Sequence, residues 1–152
     1  MQPIPRQLMG AIDQFLPSHL RGKPKQLYAY QAAFVGASVL AAGATVAVNV
    51  AIDNDSDFLI TSVNKIATDS TQLIFLAFLP ATIQLQYTGS GATFFQIADH
   101  IENVAGDGAL PGTQPWPFII PGGASLQVTL TNLDPVNARV VRVSFPGIKI
   151  YR

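Results

Sequence analysis

Three carboxylates stand at alternate positions in Asp53-Asn54-Asp55-Ser56-Asp57, the sharpest local cluster of chemistry-bearing side chains in the sequence. Oxygen ligands spaced this way can wrap a hard cation such as calcium. The EF-hand pattern fails, because Phe58 stands where its sixth position needs glycine and Asn64 where its bidentate glutamate should be. The cluster reads as a solvated turn between two strands, its Asp, Asn and Ser bonding their own backbone, with Asp53, Asp55 and Asp57 kept as a weak calcium alternative. Asp99, His100 and Glu102 form the second cluster. A histidine beside carboxylates can act as a general base. No G-x-S-x-G elbow accompanies it, and one nearby histidine falls short of the three protein ligands a zinc site wants. The reading is a polar loop edge. Gly106-Asp107-Gly108 followed by Gly112 meets neither phosphate-loop spacing. The absence of cysteine removes disulfides, thiolate catalysis and Cys-ligated metals. No catalytic residue, metal or cofactor is expected, and the chain reads as non-enzymatic.

Aromatic side chains supply the remaining candidates. Tyr87, Phe94, Phe95, Trp116 and Phe118 suit a core, a protein contact or a sugar-binding platform. Trp116, set between Pro115 and Pro117, is expected at a contact.

The elements that must position these residues follow from composition and periodicity. The chain has 152 residues, 49% of them hydrophobic and only 12% charged, enough for one domain with a sizeable core and far from the composition of disorder. Nine basic and nine acidic residues cancel, so nucleic-acid binding through bulk charge is not expected. A lightly charged, neutral surface tends to associate. A homo-oligomer inside an assembly is therefore expected.

The first 30 residues carry Arg6, Arg21, Lys23 and Lys25 against Asp13 alone, a basic arm before a faintly acidic body. Leu8, Ile12, Phe15 and Leu16 share one helical face, and Pro17 ends it. This face is expected to make an intermolecular contact. From Gln26 to Ile52 no residue is charged. Length and the basic flank permit a membrane span. Against it, Val46, Val48, Val50 and Ile52 alternate with Thr45, Ala47, Asn49 and Ala51, which is strand periodicity. No membrane segment is expected; residues 31–43 read as an Ala-rich connector. The organisation is thus an arm and connector over 1–43 and a β-sandwich domain over 44–152.

After residue 44 the pattern is β throughout, with strands expected at 44–52, 57–67, 72–79, 82–88, 93–98, 125–132, 138–145 and 147–151. Glycine, proline and aspartate clusters punctuate them. The longest connection, Ala98–Pro117, reads as a loop. The run Leu73–Leu79 is apolar throughout and suits a strand covered on both sides at a subunit interface. The fold class is all-β: a β-sandwich or jelly roll of about eight strands with an extended, partly helical N-terminal arm.

Six segments in order carry a resemblance. Leu40-Ala41-Ala42-Gly43-Ala44-Thr45 leads into Asn54-Asp55-Ser56-Asp57-Phe58-Leu59-Ile60. Pro115-Trp116-Pro117-Phe118, Pro121-Gly122-Gly123-Ala124-Ser125-Leu126, Leu130-Thr131-Asn132-Leu133 and Phe145-Pro146-Gly147-Ile148-Lys149-Ile150-Tyr151 follow. Over about residues 40–152 the chain resembles a family of small tailed-bacteriophage virion proteins. The resemblance implies a β-sandwich part of the particle, without catalytic residues, whose partners are the major capsid protein or other virion proteins. A capsid decoration (cement) protein that stabilises the head is the leading expectation. A neck, collar or head–tail component of the same fold, and a carbohydrate- or receptor-binding module, are the alternatives.

Overall fold

The computed structural model describes residues 4–89, 92–94, 97–107 and 112–152, with backbone alone at 92 and 113–117. A helix α1 (Arg6–Phe15) precedes strands β1 (Lys25–Phe34), β2 (Thr45–Ala51), β3 (Ser56–Asp69), β4 (Ala81–Tyr87), β5 (Ala92–Thr93) and β6 (Asp99–His100). A single helical turn α2 (Ile101–Val104) leads to β7 (Gly112–Ile120), β8 (Ser125–Asn132) and β9 (Arg139–Tyr151). Among the described residues, every pairing between these strands is antiparallel. One sheet has the order β1-β9-β3-β7; the other runs β2-β8-β4-β5, with β6 also on β4.

The two sheets face each other across one core, as a sandwich requires. Alternation places Leu126, Val128 and Leu130 of β8 and Ala81, Ile83 and Leu85 of β4 inward. Opposite them, Phe34, Phe58 and Phe145 are fully buried. Each such side chain contributes roughly 1.5–3 kcal/mol by leaving water.

A second apolar layer covers the outside of the four-stranded sheet. Ile4, Leu16 and Leu20 bury against Leu59, Ile148 and Ile150, with Met9 and Ile12 beside them. The N-terminal segment is therefore folded back on its own body and not extended. Arg21 Nε donates to the Leu16 carbonyl at 2.8 Å, and Asp13 takes the Gly22 N–H at 3.1 Å.

Five further expectations need correction. The first strand begins at Lys25, not at 44: residues 25–34 pair with β9 along their whole length and bring Tyr30, Ala32 and Phe34 into the core. The connector reading missed this because Ala29, Ala32 and Ala33 blur the alternation. The expected strands 138–145 and 147–151 are one strand through Pro146-Gly147. Proline in a central strand normally costs a ladder bond. Here β3 bulges between Ile60 and Asn64 opposite it, and the Thr61 hydroxyl donates to the Pro146 carbonyl at 3.1 Å. The run 72–79 makes one isolated bridge, Thr68 with Phe75, instead of a full strand. The expected loop 98–117 holds β6, α2 and most of β7, leaving only Ala98, Ala105–Asp107 and the residues outside the described set. Of the expected strand 93–98, β5 takes only Thr93. No helix among the described residues is long and apolar enough to cross a membrane.

Candidate interaction surface

Leu73, Ile74, Phe75 and Phe78 stand in solvent; Leu73 is 81% exposed and Phe75 74%. Ile66, on the neighbouring end of β3, is also exposed and lines one shallow cleft with Phe75. Two carboxylates fix this strip at its ends. At the start, Asp69 accepts the Leu73 and Ile74 N–H groups at 3.1 Å and the Thr71 hydroxyl at 2.5 Å. These bonds, led by that of Thr71, hold the Asp69 carboxyl below the usual aspartate range. They close a tight turn in which Gln72 takes a left-handed φ of 61°. At the far end, Glu102 accepts the Leu79 N–H at 2.8 Å and pairs with Lys65 Nζ at 2.8 Å. The Phe78 ring stacks on the His100 imidazole, with centroids 5.3 Å apart. The strip is thus an apolar surface held in place, not a frayed loop. The apolar run suits a strand covered on both sides at an interface; within this chain its outer side is bare.

The other expected contact residues separate. Leu16 is buried and Ile12 half-buried, both against the chain's own sheet, while Leu8 and Phe15 are exposed. The expectation of one shared docking face is corrected. The face that turns inward is Met9, Ile12, Asp13 and Leu16, because Asp13 is drawn to Lys25 at 2.6 Å. Trp116 lies on β7, and its side chain is outside the described residues, as is Phe95. Tyr87, Phe94 and Phe118 do meet in one small apolar cleft, Phe94 edge-on to Phe118 at 4.2 Å.

The polar clusters serve the fold. Asp53 pairs with Lys149, whose ammonium also lies 3.9 Å from the centre of the Tyr28 ring. The hydrogen bond from Lys149 holds the Asp53 carboxyl low. Burial by itself would lower Lys149, but the Asp53 carboxylate outweighs it and the lysine rises. Burial likewise pushes Asp57 up, and the Gly122 N–H and the Arg152 guanidinium bring it below its ordinary value. Asp55 takes the Ser56 hydroxyl at 3.0 Å. The three carboxylates of the calcium alternative therefore turn to different partners, and among the described residues no three His, Cys, Asp or Glu side chains gather as a metal set. His100 Nδ1 accepts the Glu102 N–H at 3.3 Å, capping α2. Asp99 accepts from the His100 N–H and from Asn103 Nδ2.

Among the described residues, ion pairs engage Lys25, Lys65, Arg139, Lys149 and Arg152, each with a carboxylate of the same chain. An already lightly charged chain spends much of its charge internally. Comparison with protein-family models, curated proteins and solved structures returns no match.

Proposed function

We propose that this chain is a non-enzymatic structural subunit of a bacteriophage particle, decorating the head shell and adding stability by covering apolar surface. The observation that carries the reading is the exposed strip Leu73–Phe78 with Ile66, fixed by Asp69 and Glu102. Exposed apolar patches of this kind on soluble proteins mark interaction sites. The order of weak motifs over about residues 40–152 supports the virion setting.

Magnitudes favour a lattice over a lone partner. Covering five such side chains gains roughly 5–10 kcal/mol at about 25 cal/mol per Å². Association costs about 4–15 kcal/mol in lost freedom. One strip is near balance, whereas several subunits on a repeating shell gain through effective concentration.

The test is co-sedimentation with heads assembled from the accompanying major capsid protein. Wild-type protein pellets with the heads, and Phe75→Asp stays in the supernatant at an unchanged melting temperature. Wild-type protein left in the supernatant overturns the decoration reading.

A further inference from the structure

The 27 uncharged residues from Gln26 to Ile52 have a place in the fold. They form β1, β2 and their connection, the two edge strands on one side of the sandwich. Consider β2, Thr45–Ala51. Its neighbouring bonds, Asn132 N–H to Ala44 O and Ile52 N–H to Ala124 O, set the alternation with β8. The N–H and C=O groups of Val46, Val48 and Val50 therefore face β8, and those of Thr45, Ala47, Asn49 and Ala51 face away. All four of these residues are exposed.

An open edge is a template for another strand, and most proteins blunt it. Two of the other edges here are blunted. β7 carries Pro115 and Pro117. β5 and β6 have two residues each. β1 pairs with β9 in unbroken register but begins at Lys25, which ties it to Asp13 of the N-terminal helix. β2 has no proline, lysine, carboxylate or register shift.

We propose that β2 is a homotypic docking edge, pairing antiparallel with β2 of a second copy about a two-fold axis at Val48. The inference rests on the reading of this chain as an assembling subunit and names one partner: itself. Full overlap sets Ala47 opposite Asn49 and Thr45 opposite Ala51 of the second copy. This exchanges about eight backbone hydrogen bonds. Self-pairing requires an edge that does not repel its own copy, and a strand without charge meets that condition.

The register makes the proposal testable by a single thiol, because the chain has no cysteine. At the axis, Val48 faces its own copy as a non-hydrogen-bonded pair, within reach of a disulfide. Val48→Cys under mild oxidation should give a reductant-sensitive dimer, and Val46→Cys should give about tenfold less. Ala47→Pro deletes one outward N–H and spares the β8 ladder, so it should raise the dimer Kd by about tenfold or more in analytical ultracentrifugation. Ala47→Lys replaces it if the proline variant loses its circular dichroism spectrum. Equal crosslinking at 46 and 48, no crosslink at 48, or a Kd unmoved by the Ala47 variants overturns the edge pairing. Phe75→Asp separates the two readings. If it abolishes head binding while Val48→Cys stays monomeric, the strip stands and the edge falls. If Val48→Cys dimerises while Phe75→Asp still pellets with heads, the edge stands and the strip falls.

Discussion

Asp13 and Lys25 meet at 2.6 Å, joining the N-terminal helix to the first strand of the sandwich. The lysine side chain is fully buried, whereas the carboxylate keeps contact with solvent. Removing one partner of such a pair is not symmetric, since a stranded buried charge costs far more than a stranded wet one. Asp13→Ala should lower the melting temperature by several degrees more than Lys25→Met, measured by differential scanning calorimetry. Equal losses would show that the pair does not pin the helix.

Acid should unfold the protein through its carboxylates. Asp13, Asp53, Asp57, Asp69 and Asp134 all lie below their ordinary value of 3.8. For Asp134 the backbone N–H of Val136 is the first cause, and for Asp13 the Lys25 hydrogen bond is. A group whose folded pKa is depressed stabilises above its unfolded pKa and loses that contribution as pH falls through the folded one. Lys149 and Tyr30 are raised, so their contribution holds below their ordinary values of 10.5 and 10.0 and fades as pH climbs past them. The melting temperature should be level from about pH 5 to 9 and fall below about pH 4. A decline between pH 8 and 6 would contradict this.

Truncation should act in two stages. Loss of residues 1–24 uncovers Leu59, Ile148 and Ile150 but leaves the sandwich, and should give a folded, less stable, aggregation-prone protein. Loss of residues 1–35 also removes Tyr30, Ala32 and Phe34 from the core and should abolish cooperative unfolding. Circular dichroism melts of the two truncations distinguish these outcomes.

Gly147 lies where β9 crosses β3, and a Cβ there would overlap the Leu59 carbonyl oxygen and the Phe58 ring. Gly147→Ala should cost about 1–3 kcal/mol by overpacking. Urea denaturation reads it as a lower midpoint with an unchanged slope.

Much of the sandwich was legible where alternation is clean. Leu126, Val128 and Leu130 marked β8 to its bounds, and Ile83, Leu85 and Tyr87 marked β4 within one residue. β1 hid because alanine occupies both inward and outward positions, so neither face reads as apolar. β9 was split because no local rule foresees a bulge on another strand that accommodates Pro146. The strip Leu73–Phe78 was visible as an apolar run, but its exposure was not. That depends on Asp69 and Glu102 capturing its backbone from either end. The open edge of β2 was likewise out of reach, since a sequence does not say which strands stand outermost.

The pairing of the first strand with the last has a consequence for synthesis. Gln26 and Tyr151, which share a hydrogen bond, are 125 residues apart. At about 5–20 residues per second, β1 waits roughly 6–25 s on the ribosome before its partner exists. Such long-range closure also slows folding once the chain is free. Throughout that interval Gln26–Ile52, with no charge to keep it apart from its neighbours, hangs unpaired. On a crowded polysome, nascent copies of this segment lie close together before any sandwich has formed. Yield of soluble protein should therefore depend on translation rate and on chaperone supply more than on the stability of the finished fold.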